Sequence, residues 1–214
     1  MLFFLLAACG ETFNAVSIQP IYGWVDGCTT VTIQGNGFGP DVNADIGGAR
    51  VEDVLATANP VDVGYAFTAT VPAAAAPGYA DVTVFSNGAQ DVITGSGAYY
   101  YVACPAAAHV DTLSIESGLY TQAVSIRGCN LDANLQRVRL VSADRTVVSD
   151  DLVPTAVCGT AEMSFAVPVV PAGTYAVQVV DLAGTVLGGE LCDPADTASA
   201  ATCTEISFTV EAVR

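Results

Sequence analysis

Gly27-Cys28-Thr29-Thr30-Val31-Thr32-Ile33-Gln34-Gly35-Asn36-Gly37-Phe38 alternates polar and β-branched apolar residues, then breaks on glycines. A period of two buries one face of a strand and wets the other. The glycines predict a turn that needs positive φ. A second stretch has the same order: Ala123-Val124-Ser125-Ile126, then Gly128-Cys129-Asn130-Leu131. The correspondence continues along the chain. Phe67-Thr68-Ala69-Thr70-Val71-Pro72 is matched by Met163-Ser164-Phe165-Ala166-Val167-Pro168, and Gly78 before Asp81-Val82-Thr83-Val84 by Gly173 before Ala176-Val177-Gln178-Val179. Each copy closes on a β-rich run, Ala98-Tyr99-Tyr100-Tyr101-Val102 in one and Ile206-Ser207-Phe208-Thr209-Val210 in the other.

The offset between copies is about 95 residues and grows to about 108 at the last strand, so the second copy holds an insertion near 185–203. Repeats of this size, with alternating strands and Gly/Pro/Asn punctuation, predict an all-β chain. The expectation is two tandem immunoglobulin-like antiparallel β-sandwiches. The Ala-rich pieces Ala73–Ala76 and Ala106–Ala108 are short and Pro-flanked, so they read as turn and linker. The expected parts are a signal at 1–9, a tether at 10–15, a sandwich at 16–103, a linker at 104–110 and a second sandwich at 111–214.

Several motifs in order resemble one family. They are Ile18-Gln19-Pro20, Gly23, the quoted Gly27–Phe38 stretch, Val71-Pro72, Gly78, Asp81-Val82-Thr83-Val84, Asn87-Gly88 and Gly97-Ala98-Tyr99-Tyr100-Tyr101. Together they resemble an IPT/TIG domain, the immunoglobulin-like fold shared by plexins and some transcription factors and common in bacterial surface proteins. The resemblance covers roughly residues 16 to 103. The second copy lacks the Gly-Gly-Thr-like opening and has Cys129-Asn130-Leu131 where Gly-Phe is expected, so its assignment rests on the repeat. The resemblance implies a fold and an exposed setting, and brings no catalytic residues. Strand directions in such a sandwich imply three disulfides: Cys28–Cys104, closing about 75 residues and contributing about 4 kcal/mol, Cys129–Cys158, and Cys192–Cys203 across the insertion.

Leu6-Ala7-Ala8-Cys9 ends a short apolar run and resembles a bacterial lipobox. That resemblance implies removal of the preceding residues, a diacylglyceryl thioether on Cys9 with N-acylation, and membrane attachment through the lipid. Gly10 after the cysteine favours an outer membrane over an inner one. The run is too short to span a bilayer, which needs roughly 20 apolar residues. It is also short for a signal and lacks a preceding basic residue. A start upstream of Met1, a chance apolar run and an ordinary cleaved signal stay open. Setting Cys9 aside leaves an even six cysteines, read as disulfides in an exported chain. None forms a Cys-x-x-Cys pair, which gives zinc-ribbon and thioredoxin-like readings little support.

The chain has 22 acidic residues, six arginines and no lysine, for a net charge of -16. Such a surface repels phosphate backbones and anionic head groups, so nucleic acid is not an expected partner. Catalytic readings find no nucleophile near the lone His109, which is expected in the linker. Asp150-Asp151 are adjacent in an extended segment and point to opposite faces. Gly35-Asn36-Gly37-Phe38-Gly39 mimics a dinucleotide loop, but Pro40 replaces the third glycine and no helix follows.

Two features could bind. Trp24 is expected in the loop between the first two strands, either as a lid over the core or as a clamp or stacking surface for a sugar or peptide. Asp26, Asp111, Asp132, Asp193 and Asp196 would gather between the domains, a possible Ca2+ site, since Ca2+ takes roughly six to eight oxygen ligands. No Asp-x-Asp-x-Asp loop is present, and solvated surface charge is the commoner explanation. The expected function is a lipid-anchored, non-catalytic envelope protein, a rigid spacer or adhesion module meeting a surface protein or polysaccharide. The alternative is an accessory glycan- or protein-binding subunit of a surface assembly.

Overall fold

The computed structural model of the chain describes residues 12–56, 64–95, 98–189 and 206–212. They divide into two compact units, one up to Ala103 and one from Cys104. The first unit begins with β1 (Asn14–Gln19), β2 (Tyr22–Trp24), β3 (Thr30–Phe38), β4 (Asn43–Ile46), β5 (Ala49–Arg50) and β6 (Glu52–Ala56). It continues with β7 (Gly64–Thr70), β8 (Gly78–Ala80), β9 (Val82–Ser86), β10 (Ala89–Ile93) and β11 (Tyr99–Val102). One sheet has the order β1-β3-β7-β6; the opposing layer is formed by β10-β9-β4-β5 and β2-β11-β8. Pairing is antiparallel except for β2, which runs parallel to β11.

The alternation in β3 sends Val31 and Ile33 inward, where they meet Ile18, Phe67, Val82, Val84 and Tyr99, all fully buried. Phe38 packs edge-on against Phe67 with ring centroids 5.4 Å apart. Gly35–Gly37 does not end the strand as expected. Only Gly37 has positive φ (72°), and the β3–β7 register slips between Gln34 and Phe38. The glycines therefore make a bulge, which turns Phe38 back into the core while β3 continues. At Gly35, a Cβ would strike the Asn14 carbonyl and the Phe38 ring, so close approach to β1 requires glycine there.

The second unit contains β12 (His109–Leu113), β13 (Ser117–Gly118), β14 (Ala123–Cys129), β15 (Gln136–Ser142) and β16 (Thr155–Cys158). It closes with β17 (Glu162–Ala166), β18 (Gly173–Asp181), β19 (Val186–Gly188) and β20 (Ser207–Val210). Its sheets run β12-β14-β17-β16 and β13-β20-β18-β15, with β19 on β18. Again one pair, β13 with β20, is parallel. The same strand order thus recurs, and Val124, Ile126, Leu140, Met163, Val177, Val179 and Phe208 fill its core. All-β immunoglobulin-like architecture is the observed fold.

Three local expectations are corrected. His109 and Val110 belong to β12, where they pair with Cys129 and Gly128. The sheet recruits them because Val110 is buried and Gly128 has no Cβ to block the His109 carbonyl. Trp24 ends a short strand, paired with Val102. The cysteine pairing also differs: Cys104 bonds Cys129, which excludes both Cys28–Cys104 and Cys129–Cys158. Antiparallel β12 and β14 carry the segment before His109 alongside the end of β14, and Asn130 donates to the Pro105 carbonyl there. Cys158 lies on β16, beyond β17, and strands two places apart are separated by roughly 9.5 Å, too far for a disulfide between facing positions. Cys28 and Cys158 are each in a disulfide as well. Disulfides on this scale fit an extracytoplasmic location. Cys9, Cys192 and Cys203 lie outside the described residues. Among the described residues no helix is long and apolar enough to cross a membrane.

Candidate functional site

The β2-β11-β8 sheet of the first unit is built from Tyr22-Gly23-Trp24, Tyr99-Tyr100-Tyr101-Val102 and Gly78-Tyr79-Ala80. Alternation on β11 buries Tyr99 and Tyr101 and turns Tyr100 outward. The register sets Tyr100 opposite Tyr22 on one side and Tyr79 on the other. Three tyrosines on adjacent strands therefore stand in one row, exposed by 61% at Tyr22, 39% at Tyr100 and 71% at Tyr79. The Tyr79 and Tyr100 rings meet at 4.8 Å and 64°, a corner rather than a flat stack. No Asp, Glu, Lys, Arg or His lies on these three strands.

The inward face fixes the row. Tyr101 donates to the Pro72 carbonyl at 2.9 Å, and its ring lies edge-on to Tyr99 at 5.0 Å. Burial pushes both phenols above the ordinary tyrosine range; the neighbouring Tyr99 adds to the rise at Tyr101, and Thr29 works against it at Tyr99. A Cβ on Gly23 would strike the Tyr99 hydroxyl and Thr29, so β2 can lie on β11 only with glycine there. Tyr79 also borders a groove of about 650 Å3 walled by Gly47-Gly48, Ala73–Pro77 and Asp81.

Comparison of the two units isolates the row. Registers equate Tyr22 with Ser117, Tyr100 with Thr209, Tyr79 with Thr174, and buried Tyr99 with buried Phe208. At the same three outward positions the second unit is polar: Thr174 and Thr209 share a hydrogen bond of 3.2 Å, and Ser117 donates to Glu211 at 2.7 Å. The fold therefore does not require aromatic rings there. Strand β11 is the central strand of its ladder, with β2 on one side and β8 on the other.

The other candidates fare differently. Trp24 is half-buried on β2, and Asp26 is half-buried in the turn closed by the Gly27 N–H donating to the Trp24 carbonyl at 3.0 Å. Asp111 pairs with His109 at 3.1 Å. The Asp132 carboxylate accepts from the Asn134 N–H at 2.9 Å. Among the described residues, no group of three potential metal ligands includes Asp111 or Asp132. Asp193 and Asp196 lie outside the described residues. Asp150 and Asp151 are both exposed, and Asp151 pairs with Arg139 at 2.7 Å.

None of the curated proteins matches the chain. Among solved structures it resembles the plexin A4 extracellular region at 15% identity and TM-score 0.39, covering 82% of this chain and 15% of that one. It also resembles SGBP-B of a Bacteroides ovatus mixed-linkage glucan utilization locus, in complex with a mixed-linkage heptasaccharide, at 14% identity and TM-score 0.40, covering 86% and 41%. SGBP-B from a complex xyloglucan utilization locus in Bacteroides uniformis matches at 12% identity and TM-score 0.31, covering 81% and 47%. The chain thus spans less than half the length of each of these three, and such likenesses say nothing about ligands. The family model is more direct: residues 15–101 match the IPT/TIG domain, so the first unit of this chain is an IPT/TIG domain.

Proposed function

We propose that the protein is a non-catalytic binding module of the cell envelope, tethered by lipid on Cys9 and presenting the tyrosine row of its IPT/TIG domain to a ligand outside the cytoplasm. The row carries the reading. The strand plan does not depend on three exposed aromatic rings, since the second unit keeps the same strands with Ser117, Thr174 and Thr209 in their place. Contiguous exposed apolar patches of a few hundred Å2 are often functional, and tyrosine is enriched at interfaces. The disulfide-bonded cysteines support a setting outside the cytoplasm.

The test uses the full chain carrying Cys9→Ser, so that no acyl group contributes. It is expected to co-sediment with isolated envelopes, and the Tyr22→Ser/Tyr79→Thr/Tyr100→Thr form to remain in the supernatant. Equal behaviour of the two contradicts the reading. Incorporation of a labelled fatty acid into the wild type, and none into Cys9→Ser, checks the tether.

A further inference from the structure

Resting on the binding-module reading, we infer that the tyrosine row of the first unit is a subsite for an uncharged polysaccharide chain crossing β2, β11 and β8. Adjacent strands lie about 4.8 Å apart, so the row spans roughly 9.5 Å from Tyr22 to Tyr79. A pyranose chain laid across the strands meets rings at intervals close to its own repeat. Each sugar has an apolar C–H face for an aromatic ring and hydroxyls at its rim. The corner between Tyr79 and Tyr100 offers both a ring face and phenol oxygens to such a group. Beyond Tyr79 the groove continues along Gly47-Gly48 and Ala73–Pro77, whose short side chains leave it room for a further sugar unit.

Charge sets the class. The three strands carry no Asp, Glu, Lys, Arg or His, the groove contributes Asp81, and the chain has no lysine and a net charge of -16. Uronic or sulfated polymers would meet repulsion without a compensating cation. The area of the row alone is that of a small-ligand subsite rather than of a whole protein interface. At about 200 Å2 for a fully exposed ring, the row offers on the order of 350 Å2. A stable protein interface needs about 800 Å2 from each side.

The experiment is native electrophoresis of the full Cys9→Ser chain, with disulfides intact, through gels containing hydroxyethyl cellulose, galactomannan or starch, or polygalacturonate as the charged comparison. Retardation by at least one neutral polymer and by no polygalacturonate is expected. Tyr22→Ser/Tyr79→Thr/Tyr100→Thr abolishes it, and Tyr79→Ala alone weakens it about fivefold. The triple variant takes residues the second unit already uses; should it fail to fold, Tyr79→Ala, at the most exposed ring, decides. Free migration in every neutral polymer, equal retardation of wild type and variants, or retardation by polygalacturonate overturns the inference. If row-dependent sedimentation with envelopes persists without neutral-polymer binding, the ligand class falls and the binding module stands. If both are lost, both fall.

Discussion

Gly23 carries more structural consequence than its size suggests. It lies on β2 opposite Tyr101, with the Tyr99 hydroxyl and the Thr29 side chain where a Cβ would go. The same arrangement recurs in the second unit, where a Cβ on Gly118 would meet Gln122 and Phe208. Gly23→Ala therefore forces β2 off β11 or distorts the core, at a cost of about 2 kcal/mol. Thermal unfolding should show a lowered midpoint, partly restored in Gly23→Ala/Tyr99→Phe, where the struck hydroxyl is gone. An unchanged midpoint for Gly23→Ala contradicts this packing. Because β2 positions Tyr22, the same substitution weakens any ligand held by the row. Asp144 and Asp181 show a different residue-scale device. Each carboxylate accepts hydrogen bonds inside its own turn, from Ser142 and Thr146 in one case and from the Thr185 and Ala183 N–H groups in the other, and both are held below the usual carboxylate range.

Among elements, β12 and β14 decide the sulfur chemistry. Their pairing brings Cys104 to Cys129 across a sequence separation of 25, a loop whose closure contributes about 3.5 kcal/mol in the chain-entropy model. Non-reducing peptide mapping should recover Cys104 joined to Cys129; Cys104 joined to Cys28 contradicts the β12–β14 register. Strand β11 gives the second element-scale prediction. Tyr99 and Tyr101 have phenol pKa values raised by burial, so they favour the folded state below the ordinary tyrosine value, and this contribution is lost as pH rises through the alkaline range. Spectrophotometric titration should show two tyrosines ionising only as the first unit unfolds, while ionisation of all eight before unfolding contradicts the packing. Strands of this kind are legible in sequence because a half-buried strand must alternate, as Val31 and Ile33 do between Thr30, Thr32 and Gln34. Which elements become neighbours is not legible in the same way. The partner of Cys104 depends on where residues 105–108 fold back. The row of Tyr22, Tyr79 and Tyr100 exists only once three distant strands are set in register. A signal was present: matching Gly78 to Gly173 also matches Tyr79 to Thr174, and the contrast between rings and hydroxyls follows.

Taken as a whole, the described residues repeat one strand plan, and one outward row differs in being aromatic in the first unit and hydroxylated in the second. Both units keep a buried aromatic residue at Tyr99 or Phe208 and a glycine beneath it, because the core demands them. The core makes no such demand at Tyr22, Tyr100 and Tyr79, where the second unit has Ser117, Thr209 and Thr174, and the proposed ligand contact gives their rings a role. Net charge then disfavours anionic chains, and the expected acyl group on Cys9 supplies the membrane contact that an acidic surface discourages. The most direct measurement is an NMR titration of the folded full chain with a soluble neutral glucan oligosaccharide, observing the tyrosine ring signals. Shifts concentrated on Tyr22, Tyr79 and Tyr100, with Ser117, Thr174 and Thr209 unmoved, are the expected result. Shifts centred on the second unit, or a ligand that binds without moving the three rings, contradict it.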